Sequence, residues 1–199
     1  MNIDLKSENL VPVHTAVEYS GDTVRARKID KELPDENTYV RLRDLDFHNG
    51  TIELDVRGGI LPGAPELSRG FIGIVFRANA GDSEFEGFYI RPANGPDCPD
   101  PVRRSHGCQY FSYPGYTFSY FREFGITEYE NAVDSIALDR WSHIKAVIEG
   151  DTGRFYVDGV EVLRVEGFKH GPAARGGVGL YVDIGTDGYF KNLSVEAAD

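Results

Sequence analysis

Residues 141–163 read WSHIKAVIEGDTGRFYVDGVEVL. Ile144, Ala146 and Ile148 alternate with polar neighbours, the period-two pattern of a strand with one buried face. Asp158-Gly159 then separates two more β-rich runs. An Asp-Gly pair suits a type I′ turn, whose two central residues both need positive φ, so the stretch predicts a tight hairpin. The same rhythm continues outward. Ile52, Leu54 and Val56 alternate with Glu53, Asp55 and Arg57. FIGIVFRA, residues 71–78, is almost wholly apolar and predicts a strand covered on both faces. FEGFYIR, residues 85–91, puts Phe88 and Ile90 on one face and Tyr89 and Arg91 on the other. Residues 177–183 and 189–196 supply two closing strands. Val24, Ala26 and Ile29, then Tyr39, Val40 and Leu42, anchor two or three more within residues 20–47. Long helical periodicity is missing, and 23 Gly and 10 Pro punctuate the chain. The expectation is an all-β fold with almost no helix, a two-sheet antiparallel β-sandwich forming one domain over residues 1–199.

Composition narrows the function. The net charge is −11, which disfavours duplex nucleic acid and anionic membrane surfaces as partners, since both demand clustered Lys and Arg. No stretch approaches the apolar length of a membrane span. The opening MNIDLKSENLVPVH carries Asp4, Lys6 and Glu8 and no apolar core of a secretory signal. The chain as encoded is therefore expected in the cytoplasm, with Cys98 and Cys108 as free thiols; a mature exported form would read alike and would permit a bridge. Two cysteines without CxxC spacing, and histidines without ligand spacing, predict no zinc.

Residues 92–133 break the strand rhythm. They are rich in Pro, Gly, Asp and aromatics, and a segment of that length without clear periodicity is expected to be a site-forming loop. Just before it, Tyr89 and Arg91 share a face and Asn94 follows. A donor fork, a ring with a hydroxyl and an amide together suit hydroxyl-rich ligands; the alternative is a solvated strand face. Within it, Arg104, His106, Gln109 and Tyr110 cluster, followed by Tyr116 and Arg122. His106 could serve as acid or base; the alternative is a loop histidine bonded to backbone. Rings of the Tyr110–Phe121 run could stack on pyranose faces; the alternative is a small core of their own.

Four C-terminal motifs, WSHIKAVIEG followed by RFYVDG, then GGVGLY at 176–181, then YFKNL at 189–193, resemble the concanavalin A-like lectin/glucanase superfamily. They are nearest to its laminin G-like and 3-keto-disaccharide-hydrolase-like members. FEGFYIRPAN with RSHGCQY resembles a stretch of bacterial members. The resemblance implies a jelly-roll sandwich and a saccharide or glycoside ligand. It also implies structural calcium as an option, for which Asp97, Asp100, Asp183 and Asp187 offer oxygen ligands; no other cofactor is expected. Family-16-type glucanases carry two Glu around an Asp on one strand. Here Glu53-Leu54-Asp55 starts that pattern, but Val56-Arg57-Gly58-Gly59 follow it, so the pair reads as a solvated face. Three functions stay open: a saccharide-binding domain, using Tyr89, Arg91, Asn94, Arg104, Gln109, Tyr110, Tyr116 and Arg122; a glycoside hydrolase or polysaccharide lyase, using either His106 with Tyr89, Arg91 and Arg104 or a carboxylate pair, with His106 and Glu86 as the catalytic candidates; and a non-catalytic laminin G-like interaction module. On any of them, trimming Arg91 or His106 is expected to spare stability.

Overall fold

A computed structural model describes residues 1–198. The fold is built on two antiparallel sheets of seven strands each. In chain order the strands are β1 (Leu10–Val13), β2 (Thr15–Ser20), β3 (Thr23–Lys28), β4 (Tyr39–Leu42), β5 (Asn49–Ile60), β6 (Ile72–Ala78), β7 (Phe85–Ile90) and β8 (Cys108–Tyr113). They continue with β9 (Glu130–Asn131), β10 (Trp141–Glu149), β11 (Thr152–Val157), β12 (Val160–Glu166), β13 (Gly177–Val182) and β14 (Thr186–Ala198). One sheet runs β1-β4-β13-β6-β7-β8-β9, and the other β12-β11-β10-β5-β14-β3-β2. The only α-helices among the described residues are α1 (Pro101–Arg104) and α2 (Phe118–Glu123). No helix among them is long and apolar enough to cross a membrane.

The central hairpin forms as its sequence dictates. Asp158 and Gly159 both take positive φ, 49° and 83°, between β11 and β12. Ile144 of β10 pairs with Leu54 of β5, and Ala146 with Ile52. All four side chains are fully buried. They point to the first sheet, and Phe88 of β7 stacks on Phe155 of β11 at 4.4 Å and 9° between ring planes. This aromatic and aliphatic layer is the main core, and its burial is the principal driving force for joining the sheets.

Two expectations need correction. Residues 92–133 are not one loop, because β8 lies inside them and pairs along the whole of β7. Its pattern, CQYFSY, is hard to read from sequence because both its faces are covered. Strands β1 and β2 also lack a clean alternation. Ile29 is no core anchor; it follows β3 and is 41% exposed. Cys98 and Cys108 are both buried and unbridged, and burial pushes the Cys108 thiol up to about 12.

Candidate functional site

The first sheet buries both its faces. Cross-strand register gives an inner row, Val40, Leu180, Ile74, Phe88 and Tyr110, facing the other sheet. One residue along, the outer row is Tyr39, Tyr181, Gly73, Tyr89 and Gln109. Gly73 has no room for a side chain: a Cβ there would lie 2.0 Å from the Phe88 carbonyl. Around that gap Tyr89 meets Tyr181 (5.6 Å), Phe111 (5.4 Å) and Phe71 (5.8 Å). These rings form a second core on the outer face, roofed by residues 34–35 and the start of α2, where Phe118 N–H donates to Asp35 Oδ2.

At the end of β7 this layer turns polar. Arg91 is 3% exposed. Its Nη1 donates to the His106 carbonyl (3.2 Å) and to Glu130 Oε2 (3.3 Å), and its Nη2 to Tyr89 Oη (3.2 Å) and Gln109 Oε1. The Tyr89 hydroxyl donates to Gln109 Oε1 at 3.3 Å, and burial holds it well above the usual phenol range. Glu130 Oε2 also accepts from Arg122 Nη2 at 3.1 Å. It stands 3.0 Å from His106 Nδ1, but off the hydrogen-bond line. Burial lowers the His106 pKa below its ordinary value; Glu130 opposes this, and Arg122 and Arg91 reinforce it. The net effect favours the neutral imidazole. Asn94, in a 3₁₀ turn after β7, donates from Nδ2 to the His106 carbonyl at 3.0 Å, and its buried Oδ1 has no partner among the described residues.

Behind the ring layer lies a second polar group. Asp35 sits at a positive φ of 55° and its N–H donates to Asp183 Oδ2 at 2.8 Å. Asp183 Oδ1 accepts from Lys28 Nζ at 2.7 Å, with the two side chains 0% and 3% exposed. Burial first, then the charge of Asp183, pushes the Asp35 carboxyl up to about 6.

These groups surround a cleft of about 240 Å³. Pro34, Leu67, Phe71 and Phe118 give it apolar walls, and Arg69, Arg91, Arg103 and Arg122 give it cations, with Tyr89, Asn94 and His106 between them. Five residues expected from sequence thus line one cleft: Tyr89, Arg91, Asn94, His106 and Arg122. Gln109 stands behind it, bonded to Arg91. Arg104 points away and donates to the Cys98 carbonyl at 2.5 Å; neighbours on a helix diverge by about 100°, so α1 turns Arg103 inward instead. Tyr116 lies past the far end of β8, under Lys169 Nζ and against Tyr120. Glu86 and Tyr110 are on the inner face, both 0% exposed. Tyr110 Oη donates to Glu86 Oε2 at 2.6 Å, and the His170 N–H donates to Oε1 at 2.9 Å. Strand parity excludes both from the cleft. Sequence reading missed Pro34, Leu67, Arg69 and Phe71, which long-range folding alone brings here.

Three of the four expected calcium ligands, Asp100, Asp183 and Asp187, are engaged by other groups. Asp183 is engaged by Lys28 and by the Asp35 and Ile184 N–H groups, and Asp187 Oδ1 accepts from Arg25 Nε at 2.6 Å. Asp100 caps α1, accepting from the Val102 and Arg103 N–H groups. No group of three or more His, Cys, Asp or Glu side chains that could hold a metal forms among the described residues. Glu53 and Asp55 lie on the outer face of the second sheet, beside Lys145 (2.9 Å) and His143 (2.8 Å).

No protein-family model and no curated protein matches the sequence. Solved structures do match the fold. A carbohydrate-binding module, CBM66, from Bacillus subtilis superposes with a TM-score of 0.65 at 16% identity, covering 95% of this chain and 96% of that one. A putative glycosyl hydrolase from Parabacteroides distasonis gives 0.58 at 12% identity, covering 96% and 94%. A prokaryotic β-1,3-1,4-glucanase (lichenase) from a mouse hindgut metagenome gives 0.55 at 12%, covering 92% and 83%. The chain has the β-sandwich jelly-roll fold of these proteins. At such identities the likeness speaks to fold and not to site chemistry.

Proposed function

We propose that this β-sandwich binds a saccharide in the cleft at the end of β7, and binds it without cleaving it. The carrying observation is the lining: apolar walls from Leu67, Phe71 and Phe118 beside Asn94, His106 and exposed guanidinium groups. A sugar presents an apolar ring face and a polar rim, and this mixture answers both. The ring suited to stacking is Phe118, which is half-buried. Tyr89 is not available, since Phe71, Phe111 and Tyr181 already surround it. The cleft is smaller than the ~300–1,000 Å³ usual for drug-sized ligands, so it suits one or two sugar units.

Two considerations support binding over cleavage. Glycosidases ordinarily need two carboxylates, whereas the cleft lining holds none, and Glu130 behind it is tied to Arg91 and Arg122. The fold is shared with a protein described as a carbohydrate-binding module, and the C-terminal motifs resemble saccharide-handling members of the concanavalin A-like superfamily. The test is calorimetric titration with a panel of mono- and disaccharides, neutral and acidic, against the parent and Phe118→Ala. Saturable binding that Phe118→Ala weakens about tenfold is expected, since stacking and apolar contact are lost together. Turnover of any panel member, detected as new reducing ends or unsaturated products, would overturn the binding-only reading and put His106 forward as its acid or base.

A further inference from the structure

Resting on the saccharide reading, we infer that the bound sugar carries an anionic group, a carboxylate or a phosphate, held by Arg69, Arg103 and Arg122. The cleft gathers four guanidinium groups in a protein of net charge −11, and its lining contains no carboxylate. The four arginines divide by what their donors already do. Arg91 already has four acceptors on its two terminal nitrogens. It mainly shapes the wall and keeps only its Nε–H without a partner among the described residues.

The other three keep donors free among the described residues. Arg69 uses only Nη1, on the Glu66 and Ser68 carbonyls. Arg122 uses only Nη2, on Glu130. Arg103 is 47% exposed and meets Asp100 only at 3.5 Å through Nε. Each therefore presents at least part of a planar donor fork, the geometry that reads carboxylate or phosphate through two parallel bonds. The carboxylates that answer them do so from outside the cleft, Glu130 from behind and Asp100 from the N-cap of α1. The arginines also crowd one another: burial lowers the Arg69 pKa, and the charges of Arg103 and Arg91 lower it further. Like charges held together in a half-closed cleft are relieved by an anion at close range, where salt screens little.

The test titrates the intact protein with glucuronate, galacturonate and glucose 6-phosphate, against glucose, galactose and the methyl ester of galacturonate. At least one acidic sugar is expected to bind about tenfold or more tightly than its neutral counterpart, and esterification should erase the difference. The uronate and phosphate arms distinguish the two anionic groups. Arg103→Gln, on an exposed side chain whose loss should spare the fold, is expected to cut the acidic-over-neutral preference severalfold. Neutral sugars binding as well as acidic ones would overturn the anionic inference while leaving the saccharide reading intact. Binding of none of the six would overturn the saccharide reading itself. Inorganic phosphate binding as tightly as glucose 6-phosphate would show an anion site that does not read sugar, and would also overturn the inference.

Discussion

Strand β7 buries a charge on each of its faces, and the two burials serve different ends. On the inner face Glu86 is enclosed by neutral donors, the Tyr110 hydroxyl and the His170 N–H. Nothing connects that pair to the cleft. On the outer face Arg91 also contacts a tyrosine hydroxyl, but one of its other partners is a carboxylate, and that carboxylate touches a second arginine and approaches a histidine. The inner charge is held by Tyr110, whose hydroxyl also accepts from the Lys169 N–H, and by the His170 N–H, all away from the cleft. The outer one begins a chain of ionisable groups that opens on solvent. Equal burial therefore does not mean equal function; what matters is whether the partners themselves lead outward.

The comparison can be broken most directly at Arg91. Arg91→Met removes every partner from Gln109 Oε1 except Tyr89 and leaves Glu130, only 7% exposed, with the more exposed Arg122 as its remaining guanidinium partner. Breaking one side of a buried pair costs about 3–5 kcal/mol, so a fall in Tm of roughly 6–20 °C is expected for a chain of this size. This reverses the expectation from sequence that Arg91 could be trimmed without harm. A variant melting within about 2 °C of the parent would show that the outer charge is not structural.

Asp35 gives the next largest effect, and it depends on pH. Its carboxyl rises from an unfolded value near 3.8 to about 6 in the fold. Between those values the native state binds the extra proton, so stability is greatest below about pH 4 and falls as pH rises to 6. The loss from this group is up to about 3 kcal/mol at 1.36 kcal/mol per unit. Other carboxylates will act in the opposite sense, so the measurement is the difference between parent and Asp35→Asn in denaturant melts from pH 4 to 7. A difference that stays flat across that range would refute a strained Asp35.

On the inner face the expected changes are smaller and carry no ligand effect. Tyr110→Phe removes one donor from buried Glu86 and should cost about 1–3 kcal/mol. Saccharide affinity should not move, because Tyr110 faces the other sheet. A threefold or greater loss of affinity in a well-folded Tyr110→Phe would place this residue in the ligand's path after all.

The sequence was informative where one face of a strand was buried and the other wet. Ile144, Ala146 and Ile148, and Asp158-Gly159, could be read because period two and turn chemistry are local signals. Parity also placed Tyr89 and Arg91 together. It could not say that their face was roofed, since the roof comes from Pro34, Asp35 and Phe118, distant in the chain. For the same reason CQYFSY, covered on both sides, showed no alternation, and Tyr110 looked as available as Gln109. Which of two adjacent arginines, Arg103 or Arg104, faces the cleft depends on a four-residue helix whose only local signal is an Asp-Pro start.

His106 should show the smallest change in stability, and it sharpens the contrast from the other side. Its side chain is 18% exposed, and Nδ1 lies near Glu130 without an aligned bond. What the chain needs from this residue is its backbone carbonyl, which accepts from Arg91 and from Asn94. His106→Ala keeps that carbonyl, so its cost should stay within about 0.5 kcal/mol. The pKa of the imidazole is lowered in the fold, so its small stabilising contribution is present above the unfolded value near 6.5 and fades as pH falls through the folded one. Removing the ring should therefore flatten the acid side of the stability profile slightly. Ligand binding should respond more strongly, because the ring lines the cleft between Arg91 and Arg122. Thermal melts and saccharide titration on one preparation separate the two effects. A variant that melts far below the parent would make His106 another member of the closed network, and one that binds like the parent would remove it from the site.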